Sequence, residues 1–257
     1  MNRRTGSHFL DSLSGENFDL LKSSIAPVSL ARHAVLARPG EEVDTVWFPT
    51  TAVLSVVTVL KSGQEVETCT IGHESAFGLL NALGAPTAIN RVVAQVPGKA
   101  LRMPALRLKA AAALSGSIAN LIVRHAQAKT AQVQQSAACN AVHSVDQRLC
   151  RWLLMTQDRT RGDSLPLTQE FLAFMLGVQR TTVTGAARAL QAAGFIRYSR
   201  GKIEIVDRRG LEAGACECYG SVLEKHAQLV GVRPFDAHDP VYTSERGGAK
   251  LRIVDPF

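Results

Sequence analysis

The sequence lacks any long uninterrupted apolar segment. Its longest predominantly apolar stretches, over 53–60 and 110–114, fall short of the roughly 18–20 residues that a membrane-spanning helix requires. The basic N-terminus at 1–4 is followed by polar residues between 7 and 11, which interrupt the apolar segment that a secretory signal needs. We therefore expect no membrane span and no secretory signal. The 257 residues allow one large domain or two modest ones.

Cysteine is sparse and its number is odd, with five residues at positions 69, 139, 150, 216 and 218. Without a secretory signal, an odd count predicts reduced thiols in a cytoplasmic protein and not a disulfide framework. Cys216 and Cys218 continue a helical pattern that begins at Leu211, and residues two apart on a helix point to different sides. We therefore expect this pair to chelate poorly, with core packing or a redox thiol as the alternatives. The sequence predicts no metal and no cofactor.

Acidic residues are outnumbered, with 22 Asp and Glu against 29 Lys and Arg, which gives a net charge of +7 at pH 7. No acidic residue occurs between Glu74 and Asp146, and from Thr168 to Arg209 seven basic residues accompany three acidic ones. An excess of positive charge favours polyanionic partners, with nucleic acid ahead of an anionic membrane surface. Composition alone does not choose between these two partners.

The N-terminal part of the chain is predicted to be a β domain, to which we assign residues 1–103. It contains short runs rich in Val, Ile, Leu and Thr, which are separated by turn signals containing Gly or Pro. The runs cover 28–35, 46–48, 53–60, 66–71, 91–96 and 100–103. Short strands with such turns, and without a helical pattern between them, are typical of a sandwich or jelly roll.

Residues 104–142 change to a helical period and are predicted to form connecting and dimerisation helices. The sequence at 115–117 separates a short helix from a long one over about 118–141. The larger apolar residues of the long helix are Ile118, Leu121, Ile122 and Val133. Because a long helix between two domains has no evident local partner, we interpret these residues as a dimer seam. Packing inside the chain is the alternative.

Residues 143–230 are predicted to form a second domain with a C-terminal helix. A capping-box sequence at 144–147 opens one helical pattern, and Thr168 opens the next, which Gly177 ends. A third helix begins near Gln179, and a hairpin over 195–206 follows it. Two helices joined by a tight turn and followed by a basic two-stranded wing indicate a winged helix-turn-helix. The tail over 231–257 shows no pattern, and disorder is one interpretation of it.

The third helix carries residue types that read DNA. With Val183, Ala187 and Leu190 facing the core, its other side presents polar residues to the major groove. Arg180 is placed for a bidentate bond to guanine, whereas Arg188 is better placed for a phosphate. The predicted DNA contacts are Thr168, Gln179, Arg180, Thr181, Thr182, Thr184, Gly185, Arg188, Arg200 and Lys202. A helical bundle with a solvated basic face is the alternative.

The segment from Leu167 to Val183 resembles the helix-turn-helix of the Crp/Fnr family of bacterial transcription regulators, and the likeness continues through the Arg200-Gly201-Lys202-Ile203 wing. Upstream, Pro39-Gly40-Glu41 and Ile71-Gly72-His73-Glu74 resemble the sensor of a divergent branch of that family. The resemblance implies an α+β protein with a cyclic-nucleotide-binding-like jelly-roll sensor domain, a long dimerisation helix and a C-terminal winged helix-turn-helix. It also implies a homodimer on a palindromic operator of double-stranded DNA, with half-sites about one DNA turn apart, and contact with RNA polymerase.

Cyclic-nucleotide sensors of this family hold the ribose with a Gly-Glu pair and the cyclic phosphate with an Arg followed by Ser or Thr. The candidate effector residues here are Glu74, Gly78, Leu79, Arg91 and Val92. Leu79 follows Gly78 without a carboxylate, Glu74 lies 17 residues before Arg91, and Val92 has no hydroxyl to donate. We interpret the cassette as degraded, so tight binding of cyclic AMP is not expected. Arg91 is interpreted as a structural ion-pair residue.

The sequence gives little support for the iron–sulfur or haem sensors found in other members of the family. The first cysteine is Cys69, too late in the chain for an N-terminal iron–sulfur cluster, and His73 is the candidate haem ligand in the sensor. We therefore predict a non-enzymatic, homodimeric, sequence-specific DNA-binding regulator. Its sensor either binds an unidentified effector that is not cyclic AMP or is vestigial. The alternatives are a ligand- or metal-binding β-barrel protein with a helical appendage, and a protein that binds DNA without sequence preference.

Overall fold

The computed structural model describes residues 4–160, 162–199 and 201–231. In the N-terminal part, the elements are α1 (His8–Asp11), α2 (Gly15–Asp19), β1 (Ala26–Leu30), β2 (Val35–Ala37), β3 (Thr45–Pro49), β4 (Val53–Val59), β5 (Glu65–Ile71), α3 (Leu79–Leu83), β6 (Arg91–Val96) and β7 (Gly98–Pro104). The helices α4 (Ala105–Leu114) and α5 (Gly116–Val142) follow. The C-terminal elements are α6 (Val145–Thr160), β8 (Ser164–Leu165), α7 (Gln169–Leu176), α8 (Arg180–Ala192), β9 (Ile196–Ser199), β10 (Lys202–Ile205), α9 (Arg208–Gly214) and α10 (Cys218–Val230). This order confirms the predicted fold class, and from residue 232 onward the predicted tail lies outside the described residues.

The strands of the N-terminal part form two antiparallel sheets, with the orders β1-β7-β3 and β2-β6-β4-β5. Alternating apolar side chains of both sheets, among them Leu30, Leu54 and Val92, are buried in one core. The run predicted as one strand over 28–35 is interrupted by a turn in which His33 has a φ of 64°. That prediction is wrong because apolar composition does not reveal where a strand changes sheet. The five residues of α3 are too few to show a helical period in the sequence.

The long helix α5 packs its larger apolar residues inward. Ile118 and Ile122 are fully buried and Leu121 is nearly so, and all three belong to a core that also contains residues of α1 and α4. They cannot meet a second copy of the chain, so the prediction that they form a dimer seam is wrong and packing inside the chain is correct. Val133, the fourth predicted seam residue, is 38% exposed. The sequence shows an apolar stripe on the helix, but it does not show whether the stripe faces the chain's own core or a second copy of the chain.

The C-terminal helices α6, α7 and α8 surround a core that includes Leu149, Leu153, Leu172, Val183 and Leu190. The predicted wing is present as β9 and β10, and the two-residue strand β8 extends it to the order β8-β10-β9. Within the described residues, no helix is both long and apolar enough to cross a membrane.

The helical pattern that begins at Leu211 does not continue through the next two cysteines. The helix α9 ends at Gly214, Ala215 is extended with φ −78° and ψ 154°, and α10 begins at Cys218. The prediction of one helix through this region is therefore wrong. The new direction lets α10 pack along α5, where Lys225 Nζ donates to Gln135 Oε1 at 3.0 Å.

Candidate nucleic-acid interface and effector cavity

A tight turn joins α7 to α8. The Thr168 hydroxyl caps α7 by accepting a hydrogen bond from the Phe171 N–H at 3.2 Å. Gly177 ends this helix in the left-handed conformation, at φ 64° and ψ 37°, where a side chain would be strained. Gln179 then precedes α8 with extended backbone. The Thr168 cap and Gly177 thus define where α7 begins and ends, and the short turn after Gly177 sets the direction of α8.

One side of α8 is buried and the other is open to solvent. Val183, Ala186, Ala187 and Leu190 belong to the buried side. The predicted DNA contacts that are exposed are Thr168, Gln179, Arg180, Thr181, Thr182, Gly185, Arg188 and Lys202. Arg200 lies outside the described residues. The exposed members on α8 therefore have the access that major-groove contacts require.

Thr184 differs from the other predicted DNA contacts because it is half-buried. Its hydroxyl lies 2.9 Å from Gln169 Oε1 and 2.9 Å from the carbonyl oxygen of Arg180. The bond to Gln169 connects α8 to the first turn of α7. In this arrangement, Thr184 positions the two helices against each other.

The open side of α8 and the wing carry cationic side chains that are available to an anion. Arg180, Arg188 and Lys202 form no ion pair with another described residue, whereas Arg197 pairs with Glu204 at 2.9 Å across the wing. Cations without an internal partner can neutralise DNA phosphates and release their counterions. This surface has the electrostatic character of a nucleic-acid interface.

The C-terminal domain contacts the sensor sheet through α6. Trp152 Nε1 donates a hydrogen bond to Glu67 Oε1 on β5 at 2.8 Å, and the Ser55 hydroxyl donates to the same carboxyl group. Burial raises the pKa of Glu67 to about 7, even though these hydrogen bonds favour the charged form. A titratable carboxyl group therefore lies between the sensor and the DNA-binding domain.

Glu74 lies in a second contact between the two domains and is fully buried. Its Oε1 accepts hydrogen bonds from Lys129 Nζ on α5 at 2.9 Å and from Arg159 on α6 at 3.0 and 3.1 Å. Burial alone would raise the pKa of Glu74, but the attraction of Arg159 and Lys129 outweighs it and holds the pKa well below its usual value. Glu74, a candidate residue of the effector pocket, does not line the cavity described below, and its carboxylate is held by both cations.

A cavity of about 430 Å³ lies between the sheet β2-β6-β4-β5, α3 and α5. Of the predicted effector residues, Gly78, Leu79 and Val92 line it. Its other walls are mainly apolar, from side chains such as Ile71 and Phe77, and Lys129 is the charged residue among the described ones that line it. A volume of this size suits a small organic ligand.

Arg91 forms an ion pair with Glu65 and is not available to bind a ligand. Its Nη1 lies 2.8 and 2.9 Å from the two carboxylate oxygens of Glu65, and the residue does not line the cavity. The ion pair occupies the guanidinium that a cyclic phosphate would need. His73, the candidate haem ligand, is buried with its ring 4.7 Å from that of His8 and is also absent from the cavity wall.

Sequence reasoning missed a cluster of three thiols and an imidazole. Cys139 and His143, at the end of α5, meet Cys216 and Cys218, and their ligand atoms all lie within 4.8 Å of one another. The expectation of a poor chelate assumed one continuous helix, but the chain turns at 215–217, so the sulfurs of Cys216 and Cys218 lie close together. The four-residue spacing of Cys139 and His143 at the C-terminal end of the long helix is the sequence signal that could have revealed it.

These thiols do not have the environment of a reactive cysteine. All five cysteines of the chain are buried and unpaired by disulfides. Burial raises the pKa of Cys139 to about 12 and raises that of Cys216 as well. Without a bound cation, such a buried thiol is a weak nucleophile, which argues against the redox alternative for Cys216.

Comparison with known proteins agrees with this architecture. The model of the cyclic nucleotide-binding domain matches residues 27–113, and that of the Crp-like helix-turn-helix domain matches residues 147–213. No curated protein matches the sequence significantly. The fold and the site define a regulator in which a cyclic-nucleotide-binding-like sensor precedes a DNA-binding helix-turn-helix. The chain belongs to the Crp/Fnr family of transcription regulators.

Several solved structures share the fold. One from Eubacterium rectale, assigned to the crp/fnr family of transcriptional regulators, is 18% identical with a TM-score of 0.65, over 82% of this chain and 99% of that one. A CRP-family regulator from Thermus thermophilus is 18% identical with a TM-score of 0.62, over 73% and 96%. FixK2 from Bradyrhizobium japonicum is 15% identical with a TM-score of 0.61, over 75% and 98%. At these identities the likeness concerns the fold.

Proposed function

We propose that this protein is a homodimeric, sequence-specific DNA-binding regulator that acts in the cytoplasm and responds to an effector other than cyclic AMP. The observation that carries the proposal is the open side of α8, where Arg180 and Arg188 are exposed and form no ion pair with another described residue. Arg180, at the first position of the helix, would read a guanine, and Arg188 and Lys202 would contact phosphates. Regulation of a promoter would further involve RNA polymerase.

The exposed side of α5 supports the homodimer. Small or apolar residues recur there at alternating spacings of four and three residues, which is the repeat of a two-helix seam. They are Ala119, Val123, Ala126, Thr130, Val133 and Ala137. Val123 is 47% exposed in the single chain, and a second copy of α5 would bury it. This seam replaces the one predicted from the sequence and keeps Val133.

The cavity supports a small, largely apolar and uncharged effector. Ala126 and Val133 line the cavity and also belong to the proposed seam, so a ligand would touch the helix that pairs the two copies. Binding would alter the arrangement of the recognition helices only if the ligand preferred one arrangement over the other. Cyclic AMP is disfavoured because Arg91 is paired with Glu65 and Leu79 has no carboxylate for the ribose.

Selection of bound sequences from a random DNA pool tests the proposal. We expect a palindromic site with half-sites about one DNA turn apart, bound roughly a thousandfold or more tightly than unrelated duplexes. Near-equal affinity for all duplexes would instead identify a non-specific DNA-binding protein. In a parallel melting experiment, millimolar cyclic AMP should leave the melting temperature unchanged, and an increase of several degrees would contradict the exclusion of this nucleotide.

A further inference from the structure

Three of the five cysteines lie together where α5 ends and α6 begins. Cys139, Cys216 and Cys218 are each at most 3% exposed, and they form a buried cluster of their own, apart from the aliphatic cores. His143, the residue after α5, completes the group from the side nearer to solvent. Cysteines that serve only as small apolar residues are expected among Leu, Val and Ile, so a cluster made of thiols alone indicates chemistry.

The distances within the cluster match a tetrahedral ion. The sulfurs of Cys139 and Cys216 are 3.5 Å apart, and Cys218 Sγ lies 3.6 Å from His143 Nδ1. Zinc bonds of about 2.3 Å to sulfur and about 2.0 Å to nitrogen produce tetrahedral edges of about 3.5–3.8 Å. All four ligand atoms lie within 4.8 Å of one another, so the longest separation has to shorten by about 1 Å for all four to reach a single ion.

The surrounding groups are those that hold metal ligands in place. The second ring nitrogen of His143, Nε2, lies 3.1 Å from the carboxylate of Glu217. This contact fixes the tautomer that leaves Nδ1 free to bind a metal, as carboxylate groups do for many zinc-bound histidines. The side-chain amide of Gln135 donates a hydrogen bond to Cys218 Sγ at 3.0 Å, which orients that sulfur.

We propose that Cys139, His143, Cys216 and Cys218 bind one Zn²⁺ ion in a closed, structural Cys₃His site. Three soft sulfur ligands and one imidazole in tetrahedral arrangement are typical of structural zinc. Four protein ligands leave no open position for a substrate or water, so the ion serves stability. It joins the end of α5 to the link between α9 and α10, and thereby fixes α10 along α5 beside the junction with the DNA-binding domain.

Metal analysis of the full-length protein is the first experiment. We expect about one zinc per chain after purification without added metal. Removal of zinc by a strong chelator should lower the melting temperature, and added Zn²⁺ should restore it. Replacement by Co²⁺ should produce the visible absorption of a tetrahedral cobalt thiolate. Stoichiometric iron in place of zinc, or chelator-treated protein that takes up neither ion, would overturn the proposal.

Substitution of the proposed ligands, followed by measurement of bound zinc, tests where the ion binds. Cys218→Ser and His143→Ala should lose most of the zinc, whereas Cys150→Ser, a matched control at a buried thiol outside the cluster, should retain it. Glu217→Gln leaves all four ligands in place and should weaken zinc affinity by about 10–100-fold, which keeps the test valid if a ligand variant fails to fold. Zinc retained by Cys218→Ser at full stoichiometry, or a disulfide between Cys139 and Cys216 found by mass spectrometry of the purified protein, would contradict the site.

Discussion

The carboxylate of Glu74, on the loop after β5, lies 3.0 Å from the Arg159 guanidinium near the end of α6. Both side chains are at most 3% exposed, so the pair joins the sensor to the DNA-binding domain out of contact with bulk water. Gly72 makes this approach feasible, because a Cβ there would lie 2.6 Å from Arg159 Cγ. The Gly-His-Glu sequence of the sensor thus acts through a contact between domains.

Replacement of Glu74 by Gln should strongly destabilise the protein. The change leaves Arg159 and Lys129 close together without their counter-charge, and breaking a buried ion pair in this way costs about 3–5 kcal/mol. Urea unfolding at neutral pH measures the free energy of unfolding. Glu41→Gln, which removes the exposed pair with Arg38, is the control and should cost at most about 1 kcal/mol. Equal, small losses for both variants would show that water solvates the Glu74 pair.

The sequence predicts those parts of the molecule that depend on local patterns. Turn signals marked most strands of the sensor, and Thr168 and Gly177 marked both ends of α7. The partner of Glu74 could not be predicted, because Arg159 is 85 residues away in the chain and no local sequence pattern links the two residues. The dimer seam was misplaced for a related reason, since helical period reveals stripes but not the element that each stripe contacts.

Glu67 should make stability depend on pH. Its pKa is raised to about 7 in the folded protein, so the folded state favours the protonated carboxyl, and this contribution is lost as the pH rises from about 4.5 through 7. Glu67→Gln keeps an acceptor for Trp152 without acquiring charge. We expect the variant to be more stable than the parent by about 1–3 kcal/mol at pH 8 and equally stable near pH 4.5. Denaturant unfolding at both pH values tests this, and an equal difference at both would refute it.

Val123→Arg should convert the dimer into a monomer. The substitution puts a charge within the proposed α5 seam, where a second copy would otherwise desolvate an apolar side chain. Leu106→Arg is the control, because Leu106 is 76% exposed on α4 and outside the seam. Light scattering on a sizing column should give half the parent mass for Val123→Arg and the parent mass for Leu106→Arg. A dimeric Val123→Arg protein would place the interface elsewhere.

Gly185→Ala separates the stability of α8 from its contact with DNA. A Cβ at Gly185 meets no atom within 4 Å, so the free protein should gain up to about 1 kcal/mol from the better helix former. On the operator, the same methyl group lies on the side of α8 that faces the groove, and we expect affinity to fall. Gly220→Ala in α10, also without neighbours within 4 Å, should stabilise the protein and leave DNA affinity unchanged. Unchanged affinity in Gly185→Ala would mean that the backbone at 185 does not approach DNA closely.

Arg180 and Arg188 should respond differently to replacement by Ala, although both are exposed on the same helix. Arg180→Ala removes a proposed bidentate contact to guanine, so it should relax discrimination at one base pair by about 1–3 kcal/mol. Arg188→Ala removes a proposed phosphate contact, so affinity should fall about equally on all sequences. The slope of log affinity against log salt concentration should decrease in magnitude by about one. Binding to the selected operator and to its single-base variants at several salt concentrations measures both effects. If Arg180→Ala weakens all sequences equally, Arg180 contacts a phosphate, and base reading belongs to its neighbours Thr181 and Thr182.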